Sequence, residues 1–146
     1  MRRIAVVGLA VILALFPALA MSCGGDGDGG GPKSPEGQMI WTETQEFACT
    51  FSPDRAEEEA YEVTVGGELK NRSEDTVEVW AVIIRLYNRD GGVVADEIDD
   101  RAWAPEFTPT MHYDWSFTRY YAQEVVRYDV LVTDSTGKKY VCIKGS

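Results

Sequence analysis

The chain has 146 residues, 14 Lys and Arg against 24 Asp and Glu, and a formal net charge of −10. That length suits one domain. Phosphate backbones and anionic headgroups are gripped through Lys and Arg, so the acidic balance argues against a nucleic-acid partner and against electrostatic attraction to anionic lipid.

Arg2 and Arg3 precede an uncharged apolar run from Ile4 to Phe16. Pro17 follows, then Ala18-Leu19-Ala20-Met21-Ser22-Cys23. A basic start, a short apolar stretch and small residues before a cut site describe a secretory signal over residues 1–22. The run is short for a membrane-spanning helix, which takes ~20 residues. An uncleaved helix continuing through Met21 is the alternative. Ala20-Met21-Ser22-Cys23 resembles the lipobox of bacterial lipoprotein precursors, with Ala20 in place of the preferred Leu and Met21 larger than usual. The resemblance implies cleavage before Cys23, acylation of Cys23 with palmitate-type chains, and an extracytoplasmic protein anchored to the bacterial cell membrane or outer membrane. Without Arg2 and Arg3 the mature chain keeps 12 basic and 24 acidic residues, a net −12.

Residues 23–38 read as a flexible tether. Gly24 to Gly37 is Gly-rich with Asp26, Asp28, Pro32 and Pro35, and offers no apolar side chain to a core. Asp26 and Asp28 lack the further oxygen ligands of a calcium loop. The expected folded domain is 39–146.

Three cysteines leave an odd count for an exported chain. With lipid on Cys23, Cys49 and Cys142 remain and are expected to form a disulfide, as the exported setting favours. Two buried free thiols are the alternative. A metal site has only His112 to join the thiols, so neither a metal nor any other cofactor is expected.

Strand signals then recur. Met39–Phe51 alternates in part. Tyr61, Val63 and Val65 alternate with Glu62 and Thr64, and Gly66-Gly67 marks a bulge. Thr76–Tyr87 is rich in β-branched and aromatic residues and nearly continuously apolar from Val79 to Ile84, as a central strand is. Asn88-Arg89-Asp90-Gly91-Gly92 reads as a hairpin turn before Val93–Ile98. Thr110–Thr118 sets Tyr113, Trp115 and Phe117 on one face and His112, Asp114 and Ser116 on the other. Val125–Thr133 and Lys138–Ile143 flank a turn at Asp134-Ser135-Thr136-Gly137. About seven strands with short turns predict an all-β, immunoglobulin-like sandwich.

The stretch Val65-Gly66-Gly67-Glu68-Leu69-Lys70-Asn71-Arg72-Ser73 resembles the opening of FxLYD-type domains, small β-sandwiches of envelope and secreted proteins. Ile84-Arg85-Leu86-Tyr87-Asn88, Asp90-Gly91 and Val93-Val94 resemble that family's central strand and hairpin, with Ile84 where the motif has Phe and Asn88 where it has Asp. The likeness spans about residues 60–118. It implies a sandwich outside the cytoplasm and no particular activity.

Catalytic motifs are sparse. Asp96, Glu97, Asp99 and Asp100 form an acidic cluster that offers a cation site or paired carboxylates, although like charges in blocks usually face water. His112 is the single histidine and is expected on the solvent face. Asn71-Arg72-Ser73 matches a glycosylation sequon but reads here as a turn. Seven aromatic residues lie between Trp103 and Tyr121. Tyr113, Trp115 and Phe117 fit a buried face. Trp103, Phe107, Tyr120 and Tyr121 fall in expected connections, where exposed rings would meet an envelope protein or a glycan, or else belong to the core. The expected function is a non-catalytic, lipid-anchored binding or scaffolding module. The alternative is an envelope hydrolase or cation-dependent enzyme using residues 96–100 and His112. An accessory subunit whose partner completes a site is a third reading.

Overall fold

A computed structural model describes residues 31–99 and 106–145. Cys23, the signal segment, Asp100 and Trp103 lie outside them. Chain order within the described residues is β1 (Met39–Phe51), a one-turn 3-10 segment (Glu57–Glu59), β2 (Tyr61–Asn71), β3 (Val77–Glu78), β4 (Ala81–Tyr87), β5 (Val93–Ile98), β6 (Glu106–Phe107), β7 (His112–Tyr121), β8 (Arg127–Thr133), β9 (Lys139–Val141) and β10 (Ile143–Lys144). One sheet has the order β10-β1-β2-β7 and the other β5-β4-β8-β9, with β3 and β6 paired between them. The chain changes sheet between β2 and β4, between β5 and β7, between β7 and β8, and again between β9 and β10. This is the Greek-key connectivity of an immunoglobulin-like sandwich. The fold is therefore the predicted one. The strand count exceeds seven because β3, β6 and β10 are two-residue pieces.

Side chains alternate across each strand, so register decides which face is buried. Trp41, Val63, Val65 and Leu69 from one sheet meet Val82, Ile84, Leu86, Tyr128, Val130 and Val132 from the other. Tyr113, Trp115 and Phe117 sit opposite Leu69, Gly67 and Val65, so they face this core as the alternation predicts. Their half-burial follows from the position of β7 at the sheet edge.

Three sequence expectations change in detail. The run Thr76–Tyr87 is two strands. Val77 and Val79 are buried, Trp80 is exposed, and Val82, Ile84 and Leu86 resume on the core face. The inward phase thus slips by one residue near Trp80, where the backbone N–H donates to Thr133 O. Lys138–Ile143 also divides, because β9 pairs with β8 while β10 crosses to lie parallel to β1. The folded unit starts before Met39. Lys33 bridges Val77, its N–H donates to Thr76 O at 2.8 Å, and Glu78 N–H donates to Lys33 O at 2.9 Å. Pro35 is buried, so the end of the expected tether is part of the domain.

The Gly66-Gly67 signal marks an irregularity, carried by the facing strand. The β1–β2 register shifts between Glu43 and Gln45 and again between Gln45 and Ala48, opposite these glycines. Gly67 has a steric reason: a Cβ there would collide with the Trp41 indole and lie 2.7 Å from Thr42 O.

The turns are built as their residues predict. Gly91 and Gly137 adopt φ of 81° and 79°, which glycine takes without strain. Asn88 Oδ1 accepts from Gly92 N–H at 2.7 Å and closes the β4–β5 hairpin. Asn71 is 6% exposed, and its amide donates to Asp75 O and Phe107 O while its Oδ1 accepts from Ser73 N–H and Oγ–H. The Asn-Arg-Ser triplet is thus a turn whose Asn is buried and fully engaged.

The expected Cys49–Cys142 disulfide is corrected: both thiols are free. The register explains why. Ile143, next to Cys142, pairs with Ile40, itself opposite Lys70, whereas Cys49 pairs with Val63. Seven residues of β2 separate those rungs, about 23 Å at ~3.3 Å per residue. A disulfide needs Cα atoms about 4.4–6.8 Å apart.

Candidate functional site

Asp96 and Glu97 of the acidic segment lie on the edge strand β5, and both carboxylates are engaged by neighbours. Asp96 accepts from Arg85 Nε at 2.6 Å and Nη2 at 2.7 Å, a bidentate fork, and from Lys139 Nζ at 3.4 Å. These cations hold the Asp96 carboxyl below its usual range, the Arg85 hydrogen bond most of all. Glu97 accepts from the Tyr121 hydroxyl at 2.8 Å and pairs with Arg119 Nε at 3.3 Å. Burial, then the bond to Glu97, pushes the Tyr121 hydroxyl well above the ordinary tyrosine range. Asp99 is buried, and its backbone N–H donates to Val82 O. No group of three or more His, Cys, Asp or Glu able to hold a metal ion occurs among the described residues.

His112 is exposed, as expected, and opposes Lys70 at the start of β7. Tyr121, which touches Glu97, ends the same strand. Nine residues of β7 separate the two, about 30 Å at ~3.3 Å each. The fold does not bring the histidine and the acidic cluster together.

The candidate binding rings also separate. Phe107 is 1% exposed and pairs with Val77 in the small sheet, so it belongs to the core and is unavailable to a partner. Pro105 and Pro109 suggest a loop in the sequence, yet the two-residue strand between them closes the end of the sandwich. Tyr120 and Tyr121 are half-buried on opposite faces of β7. The Arg55 guanidinium stacks over the Tyr120 ring at 3.6 Å. Trp103 lies outside the described residues.

One polar cluster escaped the sequence reading. Trp41 Nε1 donates to the Tyr128 hydroxyl at 3.0 Å, and that hydroxyl donates to Glu43 Oε1 at 2.6 Å. Lys144 Nζ donates to Tyr128 O at 3.0 Å and lies 4.7 Å from that ring. A cavity of about 390 Å³ opens beside them, lined by Trp41, Thr42, Glu43, Lys144 and Gly145. Glu43 continues the inward alternation of Met39 and Trp41. A carboxylate on the alternation phase of the buried Met39 and Trp41, though itself exposed, was the available signal.

Comparison with family models, with curated proteins and with solved structures finds no match.

Proposed function

We propose that the protein is a lipid-anchored, extracytoplasmic binding or scaffolding module of the bacterial cell envelope, built on an FxLYD-type domain and not catalytic. Lipid at Cys23 would tie it to the membrane, and its partner would be an envelope protein or a glycan. The signal-like residues 1–22, the Ser22-Cys23 pair and the Gly-rich stretch after it support the anchored setting. The observation that carries the non-catalytic part is the distribution of reactive groups. Asp96 and Glu97 are engaged by Arg85, Lys139, Arg119 and Tyr121, and His112 stands at the other end of β7. A hydrolase would need these groups to converge on one substrate.

The test is expression of the full chain in a bacterial host, with membrane fractionation and intact-mass analysis. A membrane-bound product starting at an acylated Cys23 is expected. Cys23→Ala should lose the acyl mass and leave the membrane fraction or accumulate as precursor. A mature terminus elsewhere without acyl mass would overturn the reading.

A further inference from the structure

β10 stops at Lys144 while β1 runs on to Phe51, and the cavity beside Trp41 lies at that step. The strands place two charges there. Lys144 pairs with Trp41 across the parallel β10–β1 ladder, so its side chain leaves on the face that carries Trp41. Glu43, two residues further along β1, leaves on the same face, immediately before the register shift. Such shifts commonly re-aim a side chain. The opposite wall is tight. Gly145 N–H donates to Trp41 O at 2.7 Å, and a Cβ on Gly145 would lie 2.6 Å from Thr42 Oγ1.

One residue holds both charges. The Tyr128 hydroxyl donates to Glu43 Oε1 at 2.6 Å, and Tyr128 O accepts from Lys144 Nζ at 3.0 Å. The carboxylate is thus fixed at the hydroxyl end of the tyrosine and the ammonium at its backbone end. Among the described residues neither enters an ion pair, with the other or with a third group. Glu43 Oε2 and the remaining Nζ hydrogens are left for a ligand. A molecule with a single charge meets attraction at one wall and repulsion at the other. A molecule with both signs a short distance apart meets attraction at both. From this geometry we infer that the cavity binds a small zwitterion of the α-amino-acid class, its ammonium at Glu43 Oε2 and its carboxylate at Lys144 Nζ. Both contacts are charge-assisted hydrogen bonds, the stronger kind. The volume of about 390 Å³ suits a small molecule and leaves room for its side chain. Trp41 is 1% exposed, so it offers a sugar no open ring face to stack on. This site goes beyond the envelope-module reading and depends neither on its lipid anchor nor on its partner.

The test uses the full chain in mild detergent, with nuclear magnetic resonance of the Trp41 indole N–H and the Gly145 amide as reporters. L-Alanine is the probe and should shift both signals saturably. Ethylammonium and propionate carry one charge each and should bind at least about tenfold more weakly. Glucose should shift neither signal. Glu43→Gln should remove the advantage of alanine over propionate, and Lys144→Gln its advantage over ethylammonium, each with a native circular dichroism spectrum. A merely structural role for the two residues would not exchange one preference for the other. No saturable shift with tens of millimolar alanine would overturn the proposal. Ethylammonium or propionate binding as tightly as alanine would overturn it too, by reducing the site to one charge. Saturation by glucose would overturn it in favour of a glycan. None of these results alters the acylation and fractionation outcome for Cys23, so the two readings fail separately.

Discussion

Tyr128 on β8 reaches across the sandwich and donates its hydroxyl hydrogen to Glu43 on β1 at 2.6 Å. The two strands belong to different sheets, so this bond ties the layers together. The same oxygen accepts from the buried Trp41 indole. Burial, then the bond to Glu43, pushes the Tyr128 hydroxyl well above the ordinary tyrosine range. The hydroxyl therefore stays protonated, as a donor to Glu43 must.

Tyr128→Phe removes the acceptor of Trp41 Nε1 and leaves that N–H buried. A lost partner of this kind costs about 1–3 kcal/mol. Urea denaturation should show that loss in the variant, with a native far-ultraviolet spectrum. Glu43→Gln keeps an oxygen acceptor and should cost less. Equal stability of Tyr128→Phe and wild type would mean that water replaces the hydroxyl.

Gly67→Ala forces a methyl group into the Trp41 indole and toward Thr42 O. Overpacking of this kind costs about 1–3 kcal/mol. Gly91→Ala meets no atom within 4 Å and is strained only through its φ of 81°. A milder loss is expected there, about 1 kcal/mol. Thermal denaturation of the two variants should rank them in that order.

Cys142 is 7% exposed, and burial pushes its thiol up to about 12. Thiolate is the reactive form, so alkylation of Cys142 should be slow in the native domain and fast in urea. Reduced and oxidised domain should migrate alike, without an intramolecular crosslink. Mass spectrometry of a Cys49–Cys142 peptide from native protein would contradict the register.

Asp134 anchors the β8–β9 turn. Its Oδ1 accepts from Thr136 and Lys138, and its Oδ2 from the Tyr140 hydroxyl at 2.8 Å. These bonds, led by Thr136, lower its carboxyl from 3.8 to about 2. The folded state binds this proton less tightly than the unfolded chain, so the contribution is present above pH 3.8 and lost as pH falls through about 2. The stability gap between wild type and Asp134→Ala should therefore shrink across that window. A gap independent of pH would show that the side-chain bonds contribute nothing.

Period-two alternation made β7 legible, because Tyr113, Trp115 and Phe117 can reach a core only from one face. The hairpin at Asn88–Gly92 was legible through its glycines. The break at Trp80 was not, because a run apolar on both faces hides a one-residue slip. The cysteine pairing failed for a related reason: which rungs meet depends on the β10–β1 register, to which local sequence gives no clue. Phe107 misled because flanking prolines argue for a loop while its backbone completes a two-residue ladder. Glu43 was overlooked because its partner Tyr128 lies 85 residues away in the chain.

The bridge between Lys33 and Val77 fixes where any membrane leash attaches. Lys33 joins the domain at the end that holds Met39, Asn71 and Phe107, while the Asn88–Gly92 hairpin and Tyr121 lie at the other. Ten residues separate Cys23 from Lys33, a contour of at most about 35 Å whatever their conformation. The thirteen-residue β1 is itself roughly 43 Å long. With lipid on Cys23 the leash is shorter than the body it holds. The domain would stand close to the bilayer with its Lys33 end inward, and the distal hairpin would be what an approaching molecule meets first.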